Sequence, residues 1–453
     1  MNAWTKYTGK KLDNVMDFAE GYKQYLDNGK TEREFIKHTL ELIRKAGFKD
    51  LETLKSVKPG DKIYFNNRNK SMVLFVVGKK KIAEGVNLLG AHIDSPRLDL
   101  KPNPIYESDD LVLFDTHYYG GIKKYQWVTH PLALHGVVCK KDGTTVDIKI
   151  GDGLGDPVFT VSDILIHLGH KQLEKPAATV VEGEQLNALI GSIPSTGKGK
   201  ELVKKNILKL LKSKYHIDEE DFNSAELSLV PADVTRDLGL DRSMVYGYGQ
   251  DDKVCAYPAL KAIMDVENPT RTTGCILADK EEIGSQGNTG MNSNFYEYAL
   301  KLLMEVAKEN SGINYDKAIR NTYMLSNDVT AAYDPNYPEV FEKNNSSYLG
   351  RGIGICKYTG AGGKSGTNDA NGEYVAKVRK VFDDAHVAWH ICELGKVDAG
   401  GGGTIAKFMA NRGMEVIDTG VPVQSMHSTG EITSKVDIYE SYLGNVAFLK
   451  NMK

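Results

Sequence analysis

From Asp233 to the C-terminus, helical and strand signals alternate for about 200 residues, and most of the apolar strand runs lead into a residue able to bind a cation. Residues 254–266 read as a helix, 274–278 as a strand, 295–307 as a helix, 322–326 as a strand, 415–419 as a strand and 438–449 as a helix. That order predicts an α/β fold, with a mixed sheet of parallel core flanked by helices on both faces.

The N-terminal part has the same character. Val15, Phe18, Tyr22 and Tyr25 recur at helical spacing, as do Phe35, Thr39, Leu42, Ile43 and Ala46. Thr31 with Glu34 forms a capping box and Gly47 supplies a stop. Strand patterns follow at 62–65, 73–77 and 86–90. Residues from about 105 to 234 read differently: after the Asp142-Gly143 turn, Val146, Ile148 and Ile150 alternate with polar residues as a half-buried strand does. The stretch 181–200 reads as an exposed loop leading to a helix carrying Leu202, Ile207, Leu208 and Leu211. The expected division is a first part of an α/β domain at 1–104, a smaller β-rich insert at 105–234, and the second part of the α/β domain at 235–453.

Charge and cysteine usage narrow the function classes. Lys+Arg 57 against Asp+Glu 60 leaves a net charge of −3, too little basic excess for phosphate neutralisation or attraction to an anionic membrane. The N-terminal stretch has no apolar core of a signal peptide, and no apolar run is long enough to span a bilayer. Cys139, Cys255, Cys275, Cys356 and Cys392 are widely spaced and contain no CxxC. These features predict a cytoplasmic protein that meets a small or medium-sized partner in a pocket, with no nucleic acid and no membrane.

Ligands of open α/β sheets bind beyond the carboxyl ends of the strands. VNLLGA ends in His92-Ile93-Asp94, GCILADK in Glu281-Glu282, TYMLSN in Asp328, and EVIDTGVPVQSM runs into His427. Asp251-Asp252 opens a helix after a glycine-rich loop. Any one of these is ordinarily a cap, a core residue or a solvated face. Their convergence at equivalent sheet ends has no simple stability purpose, because clustered carboxylates repel unless a cation neutralises them. Two histidines with three carboxylates suit Zn²⁺, with Mn²⁺ or Co²⁺ as substitutes. In an extended segment the neighbouring side chains of Glu281 and Glu282 point apart, so Glu282 can bind metal while Glu281 acts as general base toward the attacking water. The spacing of His92 and Asp94 puts both on one side, where Asp94 can hold the non-ligating ring N–H.

HIDSPRLDLKPNP, GQDDKVCA, DKEEIGSQGNTGMNS, SNDVTAAYDPNYPE and VPVQSMHSTGE together resemble the aspartyl aminopeptidase or vacuolar aminopeptidase I family of metallopeptidases, in the family's order and from about residue 90 to the C-terminus. The resemblance implies a metallo-aminopeptidase with two Zn²⁺ per subunit bridged by Asp251. It assigns one ion also to His92 and Asp328 and the other to Glu282 and His427, with Glu281 as general base and Asp94 as the partner of His92. It further implies a cis peptide after the bridging aspartate, peptide substrates, a dimerisation role for the insert, and dimers assembling into a tetrahedral dodecamer.

At two places the chain departs from the family's pattern. Asp328-Val329-Thr330-Ala331-Ala332-Tyr333-Asp334-Pro335-Asn336-Tyr337 stands where the family reads DMAHAVHPNY, and Trp127-Val128-Thr129-His130 where it reads WFDR. These differences leave two specificities open, an acidic or a neutral to apolar N-terminal residue. A non-catalytic assembly or cargo-binding shell on the same fold predicts loss of a ligand or of the base, and all are present.

Three further motifs stand outside the ligand set. KYTGAGGKS lacks the first glycine of a phosphate loop, so its glycines are expected to shape a loop beside the site, with Lys357 as a substrate contact. His386 and His390 in HVAWH have zincin spacing without the zincin glutamate. The glycines Gly400 to Gly403 can allow close backbone approach.

Overall fold

The computed structural model describes residues 2–453. The chain divides into one unit made of Met1–Asp94, Thr235–Met426 and Gly430–Lys453, and another made of Ser95–Val234 with His427–Thr429.

In the first unit, nine strands form the main sheet. They are β1 (Lys49–Asp50), β2 (Lys62–Asn67), β3 (Ser71–Val76), β4 (Val86–His92), β5 (Thr272–Ala278), β6 (Tyr323–Ser326), β7 (Ile353–Cys356), β8 (Trp389–Ile391) and β9 (Glu415–Gly420). Their spatial order is β1-β2-β3-β5-β4-β6-β9-β7-β8. β5, β4, β6 and β9 pair in parallel, while β3 and β7 run antiparallel to β5 and β9. This is the mixed α/β sheet that the helix-strand alternation predicts.

The central strands are apolar on both faces, which is why they read as unbroken hydrophobic runs. Leu89, Ala91, Cys275, Leu277, Leu325 and Ile417 face one core layer with helices α1 (Lys10–Asn28), α2 (Glu32–Lys45), α3 (Gln250–Asp265), α6 (Gly372–Asp384) and α7 (Lys435–Asn451). Val86, Leu88, Ile276, Met324 and Val416 face the other, covered by α4 (Phe295–Val306) and α5 (Gly312–Arg320). The Thr31–Glu34 capping box starts α2. A smaller five-stranded sheet in this unit includes Met244–Gly247, Pro422–Gln424 and Glu431–Ser434.

The second unit is built on a seven-stranded antiparallel sheet. Its contacts begin at Ser95, earlier than the 105 expected from the sequence, because Arg97–Ser108 is one continuous strand paired with Leu111–Tyr119. The stretch 181–200 is not all loop: Ala188–Gly191 pairs with Leu111–Tyr119 and buries Ala188. The helix beyond it runs over Leu202–Tyr215.

His386 lies just past the end of α6 and His390 in β8, so HVAWH does not lie on one helix. Among the described residues no helix is long and apolar enough to cross a membrane.

Candidate metal centre

The parallel strands β5, β4 and β6 lie side by side, and the residues that end or follow them lie together. His92 is the last residue of β4, opposite Ala278, and the Ile93 N–H donates to the Ala278 carbonyl at 2.9 Å. The His92 N–H donates to Asp252 Oδ2 at 3.1 Å. Its ring is buried, with Nε2 3.1 Å from Asp251 Oδ1 and 4.0 Å from Asp328 Oδ1. On the other side Nδ1 lies 3.1 Å from the Asp94 carbonyl oxygen and 3.3 Å from Asp94 Oδ1.

Asp251 and Asp252 occupy the start of α3, where the backbone departs from helical geometry and the Asp251–Asp252 peptide is cis. Asp328 follows β6 through Asn327, which is pinned three ways. Its N–H donates to the Gly90 carbonyl at 2.7 Å, its Nδ2 to Asn445 Oδ1 at 3.1 Å, and its Oδ1 accepts from Thr419 at 2.8 Å.

Glu281 and Glu282 sit on a single 3₁₀ turn, Glu281–Ile283, entered through Lys280 at φ 65°. This differs from the extended geometry that the sequence predicts for the pair. The turn forms because the loop after β5 closes on itself: the Ser285 N–H reaches the Lys280 carbonyl at 2.7 Å, and Thr289 Oγ1 donates to Asp279 Oδ2 at 2.6 Å. Asp94 fixes the turn by accepting the N–H groups of Glu281 at 3.1 Å and Glu282 at 3.2 Å. His427 places its Nδ1 2.8 Å from the Gly121 carbonyl oxygen.

Two groups of ligand atoms result, each drawn within 4.8 Å: His92, Asp251 and Asp328, all buried, and Asp251, Glu282 and His427. The Lys357 ammonium lies 2.8 Å from Asp369 Oδ1. The GAGGKS segment is loop, and the next helix begins only at Gly372.

The electrostatics fit a cation. Burial, then the Asp252 charge, holds the Asp328 carboxyl well above its usual range, with Glu281 and Asp251 adding to the effect. Asp252 is raised chiefly by burial and further by Asp251. Burial opposes protonation of His92, but Asp251 and Asp94 outweigh it and hold the imidazolium form well above its ordinary range. A divalent ion among these groups offsets the repulsion that otherwise forces carboxylates to keep protons. Imidazole nitrogen with carboxylate oxygen is a donor set suited to zinc.

Sequence reasoning missed Glu431 and the role of Asp252. Glu431 is buried and accepts the Asp251 N–H at 3.1 Å through Oε2. A glutamate so close after His427 in the sequence was the only available signal.

This fold and donor set are those of an α/β protein with a candidate zinc centre at its strand ends. A family model described as aminopeptidase I zinc metalloprotease (M18) matches residues 25–449. A relative in Clostridium acetobutylicum, named a probable M18 family aminopeptidase 1, is 53% identical over 99% of this chain and 98% of its own length. The crystal structure of an M18 family aminopeptidase from Thermotoga maritima superposes with a TM-score of 0.96 at 44% identity, covering 99% of each chain. That of aminopeptidase I from Clostridium acetobutylicum gives 0.93 at 50% identity, covering 100% of this chain and 99% of the other. The chain belongs to the M18 family and is a zinc aminopeptidase, a hydrolase.

Proposed function

We propose that the protein removes the N-terminal residue of peptides at a centre of two zinc ions. His92 and Asp328 serve one ion, Glu282 and His427 the other, and Asp251 serves both. The observation that carries this reading is that Asp251 belongs to both ligand groups. Two such ions, when bound, lower the pKa of a shared water and polarise the scissile carbonyl. Mn²⁺ or Co²⁺ is expected to substitute.

Glu281 acts as general base, taking the proton of the attacking water and returning it to the leaving amine. The contribution of its charge to the raised Asp328 carboxyl supports this role. Asp94 keeps the His92 ring oriented and the Glu281–Glu282 turn in position.

The preferred N-terminal residue is neutral or apolar. Where the family's DMAHAVHPNY carries two histidines, this chain has Ala331 and Asp334, so two potential cations for an acidic side chain are replaced by a neutral and an anionic residue. Assays of Asp-, Glu-, Leu-, Ala- and Lys-initiated peptides with Zn²⁺, Mn²⁺ and Co²⁺ test this, with Leu or Ala favoured over Asp and Glu. Fastest turnover on Asp would reverse the specificity; no turnover on any would favour a non-catalytic shell.

For assembly, the insert mediates dimers that build a tetrahedral dodecamer. Support comes from the fold shared with the mApe1 dodecamer of Saccharomyces cerevisiae, TM-score 0.79 at 20% identity. Light scattering should give a mass near twelve chains. A cytoplasmic location fits five free cysteines.

A further inference from the structure

Asp251 lies where α3 is not yet helical, at φ −77° and ψ 110°. N–H groups at a helix start have no acceptor within the helix and must find one outside it. The Asp251 N–H finds Glu431 Oε2 at 3.1 Å, on a glutamate only 1% exposed. Burying a carboxylate is costly, and among the groups around this one is the main-chain N–H of the shared aspartate.

The preceding residue is held from the same place. Gln250 Nε2 donates to the Glu431 carbonyl at 2.6 Å and the Val245 carbonyl at 3.3 Å, and Gln250 Oε1 accepts from the Tyr22 hydroxyl at 3.3 Å. Strands Met244–Gly247 and Glu431–Ser434 pair with Gly247 opposite Glu431, so one ladder carries the Val245 and Glu431 acceptors. Glu431 belongs to neither ligand group.

We propose that Glu431, backed by Gln250 and Tyr22, is the positioning residue that fixes the main chain at Asp251 so that one carboxylate can serve two ions. This rests on the reading of Asp251 as the bridge.

The test is zinc affinity of the full-length protein, measured by competition with a chromophoric chelator, beside metal-free melting curves and steady-state kinetics. Glu431→Ala should weaken the looser zinc site by about 10–100-fold and lower kcat by a similar factor with KM unchanged. Glu431→Gln, which keeps an oxygen for the Asp251 N–H, should restore most of both. Tyr22→Phe should cost about fivefold in zinc affinity, the worth of one neutral hydrogen bond.

Asp251→Asn is the control. If it loses zinc while Glu431→Ala binds zinc like the parent, the proposal falls and the bridging reading stands. If Asp251→Asn holds two ions as tightly as the parent, the bridging reading falls and takes the proposal with it. A Glu431→Ala protein that only melts earlier without metal, with zinc affinity intact, also overturns the proposal. Should that variant fail to fold, Tyr22→Phe decides, and unchanged zinc affinity there refutes it.

Discussion

His92 Nδ1 lies 3.3 Å from Asp94 Oδ1, and the same Asp94 carboxylate accepts the N–H groups of Glu281 and Glu282. One buried side chain thus orients an imidazole from β4 and holds the acidic turn that follows β5. Asp94→Ala should therefore disturb both at once. The expected result is a loss of about 10–100-fold in zinc affinity or kcat. Parent-like metal affinity together with parent-like turnover would show that neither element depends on Asp94.

His427→Ala removes a donor from the Asp251, Glu282 and His427 group while leaving His92, Asp251 and Asp328 intact. Elemental analysis after equilibration at limiting zinc should show one ion lost and one retained. Unchanged stoichiometry would reject His427 as a ligand.

That His92, Asp94, Glu281, Glu282 and Asp328 lie close together was legible in the sequence because apolar strand runs lead into them, and the strand ends of a parallel sheet lie side by side. Glu431 was not legible: it stands 180 positions from Asp251, and only the fold brings them together. The turn geometry of Glu281–Glu282 was misread as extended because short polar segments carry no periodicity, and the hydrogen bonds from Asp94 that set it are non-local. The strand Ala188–Gly191 was hidden for a related reason, since a short strand between polar stretches is defined by its partners rather than by its own pattern.

Gly420 ends β9 where a Cβ would meet the Asp328 carbonyl oxygen at 1.8 Å. Since the obstacle is backbone, it cannot swing aside as a flexible side chain could. Gly420→Ala should cost about 1–3 kcal/mol of stability by overpacking. It should also displace Asp328 and weaken zinc binding. A variant with the parent's melting temperature and zinc affinity would contradict this.

Burial pushes the His390 imidazole down to about 4, and the Tyr348 N–H donates to its Nε2 at 3.2 Å, which requires that nitrogen to be unprotonated. The unfolded chain, with the ordinary value of 6.5, therefore binds this proton more tightly than the folded one. Stability from this residue is complete above the unfolded value and is lost as pH falls from there to about 4, by roughly 3 kcal/mol. His390→Gln should flatten that part of the pH dependence of the urea midpoint. An unchanged slope would remove His390 as its source.

Glu281→Gln separates chemistry from metal binding, because Glu281 is assigned to neither ligand group. Turnover should fall by about 10²–10⁴-fold, the usual worth of a general base, with zinc content unchanged. Retained activity would reject the base assignment.

The central claim is a binuclear centre that shares Asp251. Its most direct test is zinc content per chain of the parent and of Asp251→Asn, by elemental analysis after equilibration with buffered zinc. The account predicts two ions in the parent and fewer than two in the variant. A single ion in the parent, or two in both, would contradict it.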